Sequence, residues 1–152
     1  MRISLSLTRH SWPGPLGPAL TDTARAAEDA GIDTLWIADH LLQVEPGTDR
    51  GDPILESGTA LGYLAARTER IRLGAMVSAV TFRPPTLLIK SVTTLDVLSG
   101  GRAWFGVGAG HARDEADAMG LPFPPTAERF DHLQDAVELA LRMWAGDDRP
   151  FA

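Results

Sequence analysis

The stretch Thr34-Leu35-Trp36-Ile37-Ala38-Asp39-His40 decides how this 152-residue chain is read. Its first five residues are apolar or β-branched, run for the length of a strand, and lack the alternation of a half-exposed one. Such a run reads as a strand buried on both faces, the kind that parallel sheets carry beneath covering helices. It ends on two polar residues, at the point where parallel strands hand over to ligand-binding loops.

Outward from this strand, the same alternation recurs. Upstream, Ile3, Leu5 and Leu7 have period two and predict a first strand. Pro18 can open a helix at its first position and Gly31 can close it at the left-handed position, with Leu20, Ala24 and Ala27 on one face between them. Downstream, Asp52-Pro53 reads as an N-cap and first helical residue, before a helix with Leu61 and Leu64 that ends near Arg67. Residues 71–77 read as a third strand. Pro84-Pro85 starts a helix with Leu88, Val92 and Leu95 at helical spacing, stopped by Gly100-Gly101. Residues 103–107 read as a fourth strand. A proline-containing loop (Pro122, Pro124, Pro125) follows, then a helix capped by Thr126 with the stripe Phe130, Leu133, Val137, Leu141 and Trp144, ended by Gly146.

Strand–helix alternation predicts an α/β fold with a parallel sheet. Residues 1–152 supply four βα units, half of the eight in a (β/α)8 TIM-type barrel. An open doubly wound sheet is the alternative. Four open strands leave two unpaired edges. Either the chain forms a homodimer, or its edges fold differently, or it is a piece of a longer protein.

Composition narrows the partners. Twenty acidic against fourteen basic residues give a formal charge of −6, which disfavours nucleic acid and anionic membranes. Thirteen Arg against one Lys, with abundant Ala, Gly and Pro, point to a GC-rich bacterial genome. No Cys is present, which removes disulfides and thiolate chemistry. The N-terminus lacks a signal-peptide core, and no apolar run approaches the ~20 residues of a membrane helix. The expectation is a soluble cytoplasmic protein.

Chemistry is sought at the strand ends, where Thr8, Arg9, His10, Asp39, His40, Ser78, Ala79, Val80, Thr81, Gly108, Ala109, Gly110 and His111 fall. His40 is the foremost reacting group, because an imidazole there can donate a hydrogen bond or exchange a proton near neutral pH. Neighbours in an extended segment face opposite ways, so a direct Asp39–His40 pair is not expected. The plainer reading is that both cap the next loop. The run Gly106-Val107-Gly108-Ala109-Gly110 resembles a phosphate-binding turn, but the third glycine of G-x-G-x-x-G falls on His111 or Arg113 in the two registers. No metal-ligand pattern is found.

Gly31-Ile32-Asp33-Thr34-Leu35-Trp36-Ile37-Ala38-Asp39-His40-Leu41 resembles the second-strand motif of the luciferase-like monooxygenase superfamily. Arg70-Ile71-Arg72-Leu73-Gly74, Phe82-Arg83-Pro84-Pro85, Thr94-Leu95-Asp96-Val97-Leu98-Ser99-Gly100-Gly101-Arg102 and Glu128-Arg129-Phe130 resemble its later motifs, in order. The resemblance implies a TIM barrel acting on a small organic substrate with FMN or the 8-hydroxy-5-deazaflavin coenzyme F(420). It implies that His40 is the hydrogen-bond donor or proton-transfer group and that Asp39 contacts ring or substrate. It implies a non-prolyl cis peptide at Met76–Val77 propping the ring, and backbone from Gly108, Ala109 and Gly110 near the cofactor, with His111 alongside. Some deazaflavin dehydrogenases carry a Glu acid where this chain has His111, which argues against a sugar-phosphate dehydrogenase.

The expectation is therefore the N-terminal half of a flavin- or deazaflavin-dependent oxidoreductase, performing hydride transfer or, with FMN, oxygen insertion. The deazaflavin is favoured by the Asp39-His40 motif and the Arg-rich composition. The rival from another class is a non-catalytic half-barrel that binds a partner or itself.

Overall fold

The computed structural model describes residues 1–151. Strand β1 (Ser4–Leu7) leads into helix α1 (Leu16–Asp29), then β2 (Thr34–Ile37), α2 (Ser57–Ala65), β3 (Arg72–Ala75), β4 (Ser78–Ala79) and α3 (Pro85–Ser99). The short strands β5 (Ala103–Trp104) and β6 (Val107–Gly108) follow, with α4 (Arg113–Met119) and α5 (Thr126–Trp144). A four-stranded parallel sheet has the order β1-β2-β3-β5, and β4 pairs with β6 in a second parallel ladder.

The α/β class and the parallel sheet are as expected. The third and fourth strands, expected as continuous, are each broken in two. The third breaks at Met76–Val77, whose peptide bond is cis. The fourth breaks at Phe105 and Gly106, and the two breaks lie side by side, with the Ser78 amide donating to the Gly106 carbonyl at 2.9 Å. A Cβ on Gly106 would lie 2.2 Å from the Ala75 carbonyl oxygen, so the close approach of the two broken strands demands glycine there.

One sheet face holds the core. Leu35, Ile37 and Leu73 are fully buried against Leu20, Ala24 and Ala27 of α1 and Ala60, Leu61 and Leu64 of α2, with Leu95 of α3 at the margin. The other face carries Trp36 and Trp104 on either side of Gly74, where a Cβ would meet the Trp36 ring and the Cβ of Trp104 at under 3 Å. The Trp104 indole donates to the Thr34 hydroxyl at 3.3 Å.

Two buried ionic groups tie the units together. Glu28, near the end of α1, accepts the amides of Glu69, Arg70 and Ile71 and so fixes the entry into β3. Arg102 donates to the carbonyls of Ala65, Thr68, Ile71 and Ser99, and to the Thr68 hydroxyl. Its charge thus sits at the negative end of α2 rather than against a carboxylate.

Several local expectations are corrected. Asp52 does not cap α2. Its carboxylate accepts from the Asp49 amide within a turn, and the cap is Glu56, whose oxygens accept from Gly58 and Thr59. Pro18 lies inside the first turn of α1, which begins at Leu16. Thr126 is the first residue of α5 rather than its cap, and its hydroxyl accepts from Arg129. The segment expected as loop contains α4, which has Asp114 and Glu115 in its first turn and ends at Gly120 in the left-handed conformation. The apolar stripe of α5 is not its buried face. Ala136 and Ala140 are buried, whereas Phe130, Val137, Leu141 and Trp144 are exposed.

Candidate active site

The loops after β2, β4 and β6 converge on a cleft of about 200 Å³ lined by Asp39, His40, Met76, Val77, Ala79, Phe82, Gly110, His111 and Ala112. Six of the eight residues singled out from the sequence meet here. Gly108 and Ala109 do not line it. Gly108 pairs with Ala79, and a Cβ on it would press against Val77 at 2.8 Å, so its lack of a side chain serves the packing of β6 on the Met76–Val77 turn.

Asp39 and His40 form no hydrogen bond with each other, in keeping with their opposite directions from the strand. Asp39 is buried. It takes a bidentate pair from Arg83 at 2.6 and 2.8 Å and a third bond from the Ser57 hydroxyl at 2.7 Å. Arg83 also donates to Glu56. Hydrogen bonds to Asp39, stronger than the opposing burial, push the Arg83 guanidinium above its ordinary value. Burial raises the Glu56 carboxyl, but hydrogen bonds from Thr59, Arg83 and Gly58 outweigh it and hold Glu56 at about 2. The network leaves Asp39 as a clamp between β2, α2 and the entry to α3.

His40 is held from the other side. Its Nδ1 lies 2.8 Å from Oε2 of Glu115, which is 1% exposed. The second oxygen of Glu115 accepts the amides of Leu41 and Leu42. His111 meets the His40 ring edge to face, with centroids 5.4 Å apart. Met76 and Val77 are about half exposed beside this polar group. Apolar side chains next to imidazole edges fit a flat heteroaromatic ring, which needs a greasy surface and in-plane hydrogen-bond partners. Beyond Phe82 lies a larger groove of about 830 Å³, walled by Pro84, Leu121 and Phe123 and edged by Glu128 and His132.

His10 stands apart. It is fully buried on Trp12, its Nδ1 accepts the Leu55 amide at 3.3 Å, and burial lowers its pKa. Ser57, Arg83, Glu56 and Glu115 were not singled out for the site in the sequence. In the sequence Arg83 stands only as part of a motif, and Glu115 only as one acidic residue in a helix too short to show a period. Among the described residues no cluster of His, Asp and Glu could hold a metal ion, and no helix is long and apolar enough to cross a membrane.

Residues 1–151 match the family model for luciferase-like monooxygenases. The chain is 37% identical over 133 residues to an F420-dependent glucose-6-phosphate dehydrogenase of Kineococcus radiotolerans, covering 87% of this chain and 38% of that protein. Among solved structures it is similar to a monooxygenase from Streptomyces bottropensis, with a TM-score of 0.80 and 25% identity over all of this chain and 45% of that one. It is also similar to the coenzyme F420-dependent tetrahydromethanopterin reductase of Methanopyrus kandleri, with a TM-score of 0.63 and 28% identity over 81% of this chain and 31% of that one. The chain thus spans less than half the length of each of these proteins.

Proposed function

The chain belongs to the luciferase-like monooxygenase family, and from that premise we propose that residues 1–152 are the four-unit half of a (β/α)8 barrel that carries the proton-transfer side of a deazaflavin-dependent oxidoreductase acting on a small organic substrate. The observation that carries the reading is the grouping of His40, His111, Met76 and Val77 around one cleft at the ends of parallel strands. The placement of α1, α2 and α3 against a single core supports a barrel wall, since a doubly wound sheet has helices on both faces.

Met76 and Val77 would bear the ring, and His40 and His111 its polar edge or the substrate. The coenzyme, when bound, supplies hydride acceptance or donation. What the chain supplies is a proton site at His40 Nε2, and a neutralised Asp39 that keeps the His40 loop in place. The cleft is smaller than the ~300–1,000 Å³ of typical ligand pockets, so this half would hold one edge of the ring and leave the rest to further chain. The relatives that depend on F420 support the deazaflavin over FMN. The monooxygenase likeness supports FMN and oxygen insertion as the second reading.

Calorimetric titration of the folded chain with coenzyme F(420) and with FMN tests the proposal. Saturable binding of F(420), weakened at least tenfold in Val77→Asp, is expected. Preference for FMN selects the second reading, and binding of neither removes the cofactor role from this half.

A further inference from the structure

We propose that Glu115 is a positioning residue that fixes the His40 ring in the Nδ1–H form, leaving Nε2 toward the cleft as a hydrogen-bond acceptor. This rests on the reading of His40 as the proton-transfer group, and it adds a residue and a proton assignment to that reading.

The geometry supports it in three steps. Glu115 is sealed from solvent, and its Oε1 already accepts two backbone amides, from Leu41 and Leu42. Two N–H donors aimed at one oxygen suit an ionised carboxylate, which can only accept. The other oxygen, Oε2, is 2.8 Å from His40 Nδ1, so the hydrogen between them belongs to the ring. In a neutral imidazole, a proton on one nitrogen leaves a lone pair on the other. Nε2 has no protein partner among the described residues, while the ring lines the cleft and touches His111 edge to face. His40 therefore presents an acceptor to its ligand, the form that receives the hydrogen of a hydroxyl group. A free imidazole favours the opposite arrangement, so the protein must impose this one.

The same carboxylate also orients the backbone. Glu115 reaches back across 73 to 75 residues to hold positions 40, 41 and 42. The loop after β2 and helix α4 are thus joined through one side chain, and His40 cannot swing without breaking a buried bond.

The test is ¹⁵N NMR of the histidine rings in the intact chain, at a pH where they are neutral, with exposed His132 as the internal reference. In the native chain Nδ1 of His40 is expected to carry the proton, opposite to His132. Glu115→Gln has a single acceptor oxygen; with it on the Leu41 and Leu42 amides, the NH2 group faces Nδ1 as a donor and is expected to move the His40 proton to Nε2, and Glu115→Ala is expected to let His40 revert to the form of His132. A native His40 with its proton on Nε2 overturns the proposal, as does a Glu115→Ala protein with the native form. If Glu115→Ala fails to fold, the native spectrum and the Gln variant still decide. Cofactor titration is read separately. Loss of F(420) binding with the Nδ1–H form intact rejects the functional reading and spares the proton assignment.

Discussion

At the scale of single residues, the polar groups around the cleft divide into those that are used up and those left free. Asp39 is used up, with both oxygens bonded by Arg83 and Ser57. Truncating Arg83 would strand a buried carboxylate, a change that costs about 3–5 kcal/mol. Arg83→Ala is therefore expected to lower the stability of the chain by that amount in urea unfolding, while Arg83→Lys, which cannot form the fork, recovers only part.

Acid sensitivity is also set at this scale. Glu56 titrates near 4.5 when unfolded and at about 2 when folded, so its contribution is complete above 4.5 and is lost as pH falls to about 2. His10 resists protonation in the fold, so the unfolded state binds the proton first and stability falls as pH drops below about 6.5. Both effects have the same sign. The urea midpoint is expected to decline from pH 6.5 downward in two limbs, and Glu56→Gln is expected to flatten the lower one.

At the scale of elements, strand and helix order was legible because apolar period and glycine or proline punctuation are local signals. Helix α3 begins at Pro85 and stops at Gly100 in the left-handed conformation, as its sequence announces. What was not legible depends on distant partners. Nothing local distinguishes Glu56 from Asp52 as the cap of α2, because the choice is made by Arg83, 27 residues away. Helix α4 is too short to show periodicity, and with it Glu115 was missed. The breaks in the third and fourth strands arise where these two neighbouring strands approach most closely; the resemblance announces the cis bond at Met76–Val77 in the third, whereas in the fourth only the glycine at position 106 hints at the break. Gly106→Ala sets a methyl group against the Ala75 carbonyl, a backbone atom that cannot turn aside. It is expected to cost at least about 1–3 kcal/mol in thermal unfolding and to abolish cofactor binding.

At the scale of the whole molecule, the exposed apolar surface is the dominant feature. Val97 and Leu98 of α3 are more than 70% exposed, and Phe130 and Leu141 of α5 about 60%. The periodicity of α5 marks an apolar face, but periodicity does not say whether or by what that face is covered. Here the helix turns alanines inward and leaves the larger side chains out. Parallel edges on β1 and β5 add unpaired backbone groups. Large exposed apolar side chains on helices that pack against each other, as α3 and α5 do, are the kind of surface through which chains associate. Sedimentation equilibrium is expected to show self-association of the isolated chain at micromolar concentration, and Phe130→Glu with Leu141→Glu to reduce it to the monomer mass. A monomeric native chain would contradict this.

The two tryptophans astride Gly74 have a consequence of their own. Trp36 and Trp104 lie 6.3 Å apart on the sheet face turned away from the helices, in the same strands whose ends form the cleft. Indoles that close share excitation energy, and their emission overlaps the near-ultraviolet absorption of flavins and deazaflavins alike. A ring settling on Met76 and Val77 would drain light from both at once, so the fold carries its own optical gauge of occupancy, readable without a label and without turnover.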